Sequence, residues 1–185
     1  MVAMPKPHRQ VIGVDIGGTG LKLGRFDSEG QLLAEQLCPT PQPPAPGAIT
    51  TAVVEAIEAL DPEGEADAVG VGLPGPMDRS ARVAQVCINL PGWDNVPLAE
   101  WLEARLKRPV TLANDGNCAV LGEQWLGAAK GVDDVVLLTL GTGVGGGVIL
   151  GGELFLGRRG AAAEPGLIGL DPAGPPCNSG NNGSI

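Results

Sequence analysis

Val11-Ile-Gly-Val-Asp-Ile-Gly-Gly-Thr-Gly20 opens the first apolar run of the chain. Val135-Val-Leu-Leu-Thr-Leu-Gly-Thr-Gly-Val144 repeats its pattern in the second half. In each copy an aliphatic strand reaches Asp15 or Thr139, one more apolar residue follows, and the chain enters a Gly/Thr-rich turn. A second strand leaves each turn, over residues 21–26 in one copy and 146–150 in the other. A further turn and a third strand follow, over 31–38 after Asp27-Ser-Glu-Gly30 and near 154–156. Two copies of this unit predict two α/β domains of related architecture, divided as 1–113 and 114–185. Two unrelated Gly-rich hairpins would produce a similar pattern, so the repeat gains weight only with what lies between.

Between the copies, strands alternate with helices, the mark of an α/β fold. Residues 39–47 hold five prolines and read as an extended connector. Ile49, Val53, Ile57 and Leu60 then recur at helical spacing, with Thr50 or Thr51 as the expected cap and Asp61-Pro62 as the stop. Residues 66–73 read as a buried strand ending in a Pro-Gly-Pro turn. Residues 97–108 read as an amphipathic helix with Leu98, Trp101, Leu102 and Leu106 inward. Residues 108–113 form a strand that delivers Asn114 and Asp115 to the start of a helix near 117–126.

Composition bounds the function. The 185 residues include 30 Gly and 17 Pro, about a quarter of the chain, yet 43% are hydrophobic and only 18% charged. That balance belongs to a globular chain and not to an acidic disordered tail. The length fits one large domain, or one domain and part of another. His8 is the single histidine, so a Ser-His-Asp triad or a multi-His metal site has almost nothing to be built from. A net charge of −9 argues against a nucleic-acid partner. Cys38, Cys87, Cys118 and Cys177 form no CxxC and read as reduced thiols of a cytoplasmic protein. The run from Val11 to Ile16 is too short for a signal peptide. Residues 135–152 carry no charge, but they hold seven glycines, follow Asp133-Asp134 and lack flanking Lys or Arg. No membrane partner is expected.

Glycine turns let backbone N–H groups approach an anion without a Cβ in the way, and Thr19 and Thr142 add hydroxyl donors. Asp15 at a strand end can hold a hydrated Mg²⁺, an ion that prefers oxygen ligands. Each turn alone is weak, because a β-hairpin needs glycine for its own geometry. A Walker A loop is excluded by spacing. Gly141-Thr-Gly-Val-Gly-Gly146 fits GxGxxG, but strand-like Val148-Ile-Leu150 follows it where a dinucleotide fingerprint requires a helix. Asn114-Asp115 between strand and helix reads equally as an N-cap and as a general base, since a helix N-terminus favours the ionised carboxylate. Asn89 before Pro91-Gly92 and Gly75 after Pro74 read as turn residues or as polyol contacts. Glu164, after Ala161-Ala-Ala163, is a surface carboxylate or an acceptor for sugar hydroxyls. Asp133-Asp134 reads as a solvated turn.

Taken in order, these residues resemble the ROK family of sugar kinases, most closely its glucokinase-like members. The resemblance is carried by Asp15-Ile-Gly-Gly-Thr19, Gly72-Leu-Pro-Gly75 with Asp78, and Asn89-Leu-Pro-Gly-Trp93. It continues through Asn114-Asp115 with Gly122-Glu123, Leu140-Gly-Thr-Gly-Val-Gly-Gly-Gly147 and Glu164. It implies the actin-like ATPase, hexokinase-like (ribonuclease H-like) fold of two α/β domains. It also implies transfer of the ATP γ-phosphoryl, with Mg²⁺, to a hexose hydroxyl in the cleft between them. By position, Asp115 resembles the catalytic base, and Gly75, Asn89, Asn114 and Glu164 resemble sugar contacts. Asp15, Gly17, Gly18, Thr19 and Gly20, with Gly141, Thr142, Gly143, Gly145 and Gly146, resemble the two phosphate loops.

The resemblance implies a hexokinase acting in glycolytic carbohydrate metabolism, with glucose at its 6-hydroxyl as the favoured substrate and a homodimer as the full-length state. Mannose, fructose, an N-acetylated hexosamine, and polyphosphate as donor stay open. So does a non-catalytic sugar- or nucleotide-binding relative. Repressors of this family resemble the kinase fused to an N-terminal helix-turn-helix domain, for which the ten residues before Val11 leave no room. Two departures from the pattern stand out. Leu167 occupies the position of the family's zinc-binding His, and Cys177, Ser179 and Ser184 stand where three cysteines are usual, so no zinc is expected. Gly20 stands where many members have Lys. The second domain is expected to be incomplete, as in a kinase truncated at its C-terminus.

Overall fold

The computed structural model describes residues 9–87, 90–141, 143–177 and 180–185. His8, Asn89, Thr142 and Ser179 lie outside the described residues. The chain divides into two compact units between Asn114 and Asp115. The sequence pattern puts a boundary one residue earlier, but Asn114 is still the last residue of a strand, in register with Leu73.

The first unit is built on a five-stranded mixed sheet. Its strands are β1 (Gln10–Ile16), β2 (Gly20–Phe26), β3 (Leu32–Pro39), β4 (Ala66–Leu73) and β7 (Val110–Asn114), in the order β3-β2-β1-β4-β7. β2 runs antiparallel to both its neighbours, while β1, β4 and β7 are parallel. This is the order and sense of a ribonuclease H-like sheet. Helices α1 (Pro46–Leu60) and α2 (Leu98–Leu106) cover one face. Ile12, Val14 and Ile16 alternate inward from β1 and meet Ile49, Val53 and Ile57 of α1, with Leu98 and Leu102 of α2 in the same buried cluster. The opposite face carries small residues, including exposed Gly70 and Thr111.

Two expectations for the helices need correction. Neither Thr50 nor Thr51 caps α1. The helix begins a turn earlier, at Pro46, where the missing N–H costs nothing because a first-turn donor has no intrahelical partner. The Thr50 hydroxyl donates to the Pro46 carbonyl inside the helix at 2.7 Å, and the Thr51 hydroxyl accepts from Arg105. In α2, Ala99 is buried and Trp101 is exposed, so the inward stripe runs through Leu98, Ala99 and Leu102, with Leu106 packed against the same core as expected. The buried indole of this unit is Trp93, whose Nε1–H donates to the Pro44 carbonyl at 2.9 Å and ties down the proline connector.

Two polar clusters close the sheet margins. Asp61, just past α1, has a fully buried carboxylate. It accepts from Arg25 at 3.0 Å, from Arg108 at 2.5 Å, and from the backbone N–H groups of Glu65 and Ala66. At the other margin, the Asp78 carboxylate collects the N–H groups of Ser80, Arg82 and Val83 and the Ser80 hydroxyl, folding residues 78–83 into a tight loop. That loop lies along β7: Leu112 N–H donates to the Ala81 carbonyl, and Arg82 reaches the Val110 carbonyl. Arg82 also clasps Glu103 through both its terminal nitrogens, and Val110 N–H donates to the same carboxylate. The Arg82 guanidinium and that N–H hold the Glu103 carboxyl down at about 2. Two short strands that periodicity does not reveal, β5 (Ala84–Val86) and β6 (Asp94–Val96), pair antiparallel beyond this loop.

The second unit starts with α3 (Asp115–Leu126), two residues earlier than its apolar pattern suggests. α3 packs on a three-stranded antiparallel meander of β8 (Val135–Leu140), β9 (Val144–Leu150) and β10 (Glu153–Leu154). β10 is shorter and earlier than the strand expected near 154–156. A 3-10 turn over Pro165–Leu167 lies against β9. Asp133 and Asp134, expected as a solvated turn, close the β9–β10 turn: the Asp133 carbonyl accepts from Gly152, and the Asp134 carboxylate accepts from Gly151.

Candidate active site

In the first unit the glycine turn 17–19 joins β1 to β2. It is closed by Gly17 N–H donating to the Gly20 carbonyl at 3.0 Å. Thr40 braces it from the end of β3, its hydroxyl donating to the Gly17 carbonyl at 2.6 Å and its N–H to the Thr19 carbonyl. A Cβ at Gly18 would meet nothing within 4 Å, and the Gly18 carbonyl accepts from the Gln42 side-chain amide at 3.3 Å. Asp15 sits two residues before Gly17, in register with Lys22 across the β1–β2 pair, and the two form an ion pair at 3.4 Å. Sequence reasoning passed over Lys22. It stands two residues beyond Gly20, on the same face of β2, where it brings a cation to the carboxylate.

Gly75 and Asn114 are brought together, the Asn114 side-chain amide donating to the Gly75 carbonyl at 3.3 Å. Gly75 has φ +100, and a Cβ there would press into the Val86 carbonyl. Glycine is therefore required by backbone approach, whatever else touches that position.

In the second unit Asp115 is the first residue of α3, and its carboxylate accepts from the Gly116 N–H at 2.8 Å. The helix N-terminus favours its ionised form. Glu164 precedes the 3-10 turn. Burial pushes its carboxyl up, and the charge of Asp115 pushes it further in the same direction. The backbone that delivers it is unusual, since Ala163 has φ +64, a left-handed conformation that L side chains rarely adopt. The second glycine run divides in two. Gly141 and Gly143 lie in the turn, and a Cβ at either would meet nothing within 4 Å. Gly145 and Gly146 lie in β9. There a Cβ would approach the Thr139 hydroxyl at 2.8 Å and the Leu137 carbonyl and Pro165, respectively.

The open turns at Gly18, Gly141 and Gly143 fit phosphate groups, and Asp15 supplies the oxygen donor a hydrated Mg²⁺ takes. The residues do not fit a zinc site. Leu167 offers no donor, Ser184 offers only a hydroxyl, and Cys177 supplies a lone thiol. Among the described residues no group of three or more His, Cys, Asp or Glu side chains could hold a metal ion. Among them, too, no helix is long and apolar enough to cross a membrane.

The chain is similar to known proteins along nearly its whole length. It is 40% identical over 179 residues to the glucokinase of Thermotoga maritima, covering 97% of this chain and 56% of that protein. It is 42% identical over 172 residues to the glucokinase of Streptomyces coelicolor, covering 93% and 53%. Its fold matches the crystal structure of a ROK family glucokinase from Streptomyces griseus in complex with glucose and AMPPNP. That match has a TM-score of 0.85 and 39% identity, over 95% of this chain and 55% of that one. The chain thus spans about half the length of the curated relatives it matches. The sheet order of the first unit agrees with the actin-like ATPase, hexokinase-like fold of these neighbours. The ROK family pattern matches residues 11–185, and the chain belongs to the ROK family.

Proposed function

We propose that this protein phosphorylates a hexose, glucose at its 6-hydroxyl, with ATP as donor. The observation that carries the reading is the similarity to glucokinases over more than nine-tenths of the chain, with a carboxylate, Asp115, at a helix N-terminus. Asp115 accepts the proton of the attacking hydroxyl, the new bond forms between that oxygen and the γ-phosphorus, and ADP departs. A loose phosphoryl-transfer transition state asks of its base little beyond position. The turn at 17–19 and the turn holding Gly141 and Gly143 bind phosphate oxygens. Asp15 would hold the hydrated Mg²⁺ that accompanies ATP, which when bound would supply positive charge against the phosphates. Gly75, Asn114 and Glu164 contact the sugar, as does Asn89. Coupled ADP release across a panel of hexoses, with ATP and with polyphosphate, tests the proposal. Glucose with ATP should give the highest kcat/KM. Binding of sugar or nucleotide without ADP release would replace the kinase with a non-catalytic binding protein.

Two further outcomes are expected. Glu164→Gln removes a charge that burial and Asp115 both disfavour. A carboxyl whose folded pKa is raised weakens the fold above its unfolded pKa of about 4.3, so the variant should match or exceed the wild type in thermal stability at pH 7 and converge with it near pH 4. Its sugar KM should rise by about tenfold or more, the effect of losing a charge-assisted hydrogen bond. A stability loss at pH 7 with unchanged KM would refute the sugar contact. The second outcome concerns metal. Purified protein should hold far less than one zinc per chain, and a strong chelator should leave its melting temperature unmoved, whereas structural zinc sites lose folding energy with their metal.

A further inference from the structure

We propose that Gly116, Gly146 and Gly166 form a close-packed seat that fixes Asp115 relative to Glu164, with Gly146 as its central positioning residue. Its consequence for turnover rests on the kinase reading above. Three elements, α3, β9 and the 3-10 turn, meet at this seat largely backbone to backbone. A Cβ on Gly116, in the first turn of α3, would fall within 3.0 Å of the N, C and O atoms of Gly146 in β9. A Cβ on Gly146 would collide with the Leu137 carbonyl of β8 and come within 2.8 Å of Pro165 Cγ, next to Glu164. A Cβ on Gly166 would collide with the Val144 carbonyl at the start of β9. The following strand residue, Gly147, is equally tight: its Cβ would stand 2.6 Å from Val120 Cγ1 and 2.8 Å from the Gly116 carbonyl. The contacts of Gly116 with Gly146, of Gly146 with Leu137 and of Gly166 with Val144 are to backbone atoms, which have no flexible side chain to absorb a shift.

Asp115 is bonded to Gly116 by sequence, and Glu164 to Pro165. The strand backbone at Gly146 therefore sets both carboxylates at once. Ala163, immediately before Glu164, is itself in the left-handed region that L side chains rarely adopt. Gly141 and Gly143, only a few residues earlier, make no such contacts. One glycine run thus serves two purposes, an open turn suited to an anion and a strand that seats the helix carrying the base.

The test reads the distance between the carboxylates without relying on catalysis. In the 185-residue chain, ¹³C-carboxyl NMR would follow the titration midpoint of Glu164 with and without Asp115→Asn. In the wild-type background that substitution should lower the midpoint by about half a pH unit or more, as removal of a nearby like charge does. In a Gly146→Ala background the same substitution should move it by less than half as much. In a Gly141→Ala background the wild-type shift should persist. Should Gly146→Ala fail to fold, Gly166→Ala disturbs the seat from the Glu164 side and is read the same way. An undiminished shift in the seat variant, or an equal loss in Gly141→Ala, overturns the proposal. In turnover, Gly146→Ala should lower kcat by about 100-fold with the ATP KM within about threefold, the pattern of a misplaced catalytic group. If the wild-type protein phosphorylated no sugar, the kinase reading would fall and the titration alone would decide the seat.

Discussion

Asp115→Asn should lower the kcat of sugar phosphorylation by about 100- to 10,000-fold, the range in which a positioned general base contributes. The substitution is a clean probe because the fold should barely register it. Asn serves the start of a helix nearly as well as Asp, so the melting temperature should fall by no more than a few degrees. Sugar affinity by calorimetry should persist within about tenfold, since the hydroxyl still meets a hydrogen-bonding group. A kcat within threefold of the wild type would remove Asp115 from the chemistry and leave it as a helix cap.

Asp61→Ala should have the opposite profile, a large loss of stability with no direct part in catalysis. The carboxylate is fully buried between Arg25 and Arg108 and also accepts two backbone N–H groups. Removing it takes the shared carboxylate from two mostly buried guanidinium groups; Arg108 loses its ion pair, and Arg25 is left with the exposed Glu65 carboxylate at 2.9 Å. Breaking a buried ion pair from one side costs about 3–5 kcal/mol, which lowers the urea midpoint by roughly 1.5 M or more. Burial pulls the Asp61 carboxyl up, but the donors from Arg108, Ala66, Glu65 and Arg25 outweigh it and hold the group below the usual carboxylate range. Its contribution is therefore complete above the unfolded pKa of about 3.9 and is lost as pH falls through the folded value. The gap between variant and wild type in urea should be widest at neutral pH and should narrow once pH falls below the unfolded pKa of about 3.9. A gap under about 1 kcal/mol at pH 7 would show that the cluster is decorative.

The hairpins and the strand–helix junction at Asn114-Asp115 were legible in the sequence, because apolar alternation and glycine turns are local signals. The start of α1 was misread because Thr50 bonds back to the Pro46 carbonyl inside the helix, and a hydroxyl's partner cannot be read from spacing. The better signal was Pro46 itself, the last proline of the connector. Trp101 was placed inward on helical periodicity, but the buried indole site is taken by Trp93, whose N–H reaches a carbonyl 49 residues away. Asp61 was legible as a helix stop and not as a buried anion, since its partners come from β2 and from the segment before β7. The glycines after Leu140 all read alike in sequence. Only their neighbours in space separate Gly141, where a Cβ would meet nothing within 4 Å, from Gly146, where it would meet β8 and Pro165.

The loop that Asp78 folds against β7 bears on how these molecules behave in a crowd. β7 is an edge strand, and an edge strand with unpaired N–H and C=O groups is a template for joining another chain. Here Val110 N–H is taken by Glu103, Leu112 N–H by the Ala81 carbonyl, and the Val110 carbonyl by Arg82. A carboxylate, a loop and a guanidinium thus occupy the places where a neighbour's strand would add on. Asp78 takes no part in the proposed phosphoryl transfer, yet it guards the sheet against growing past its own margin.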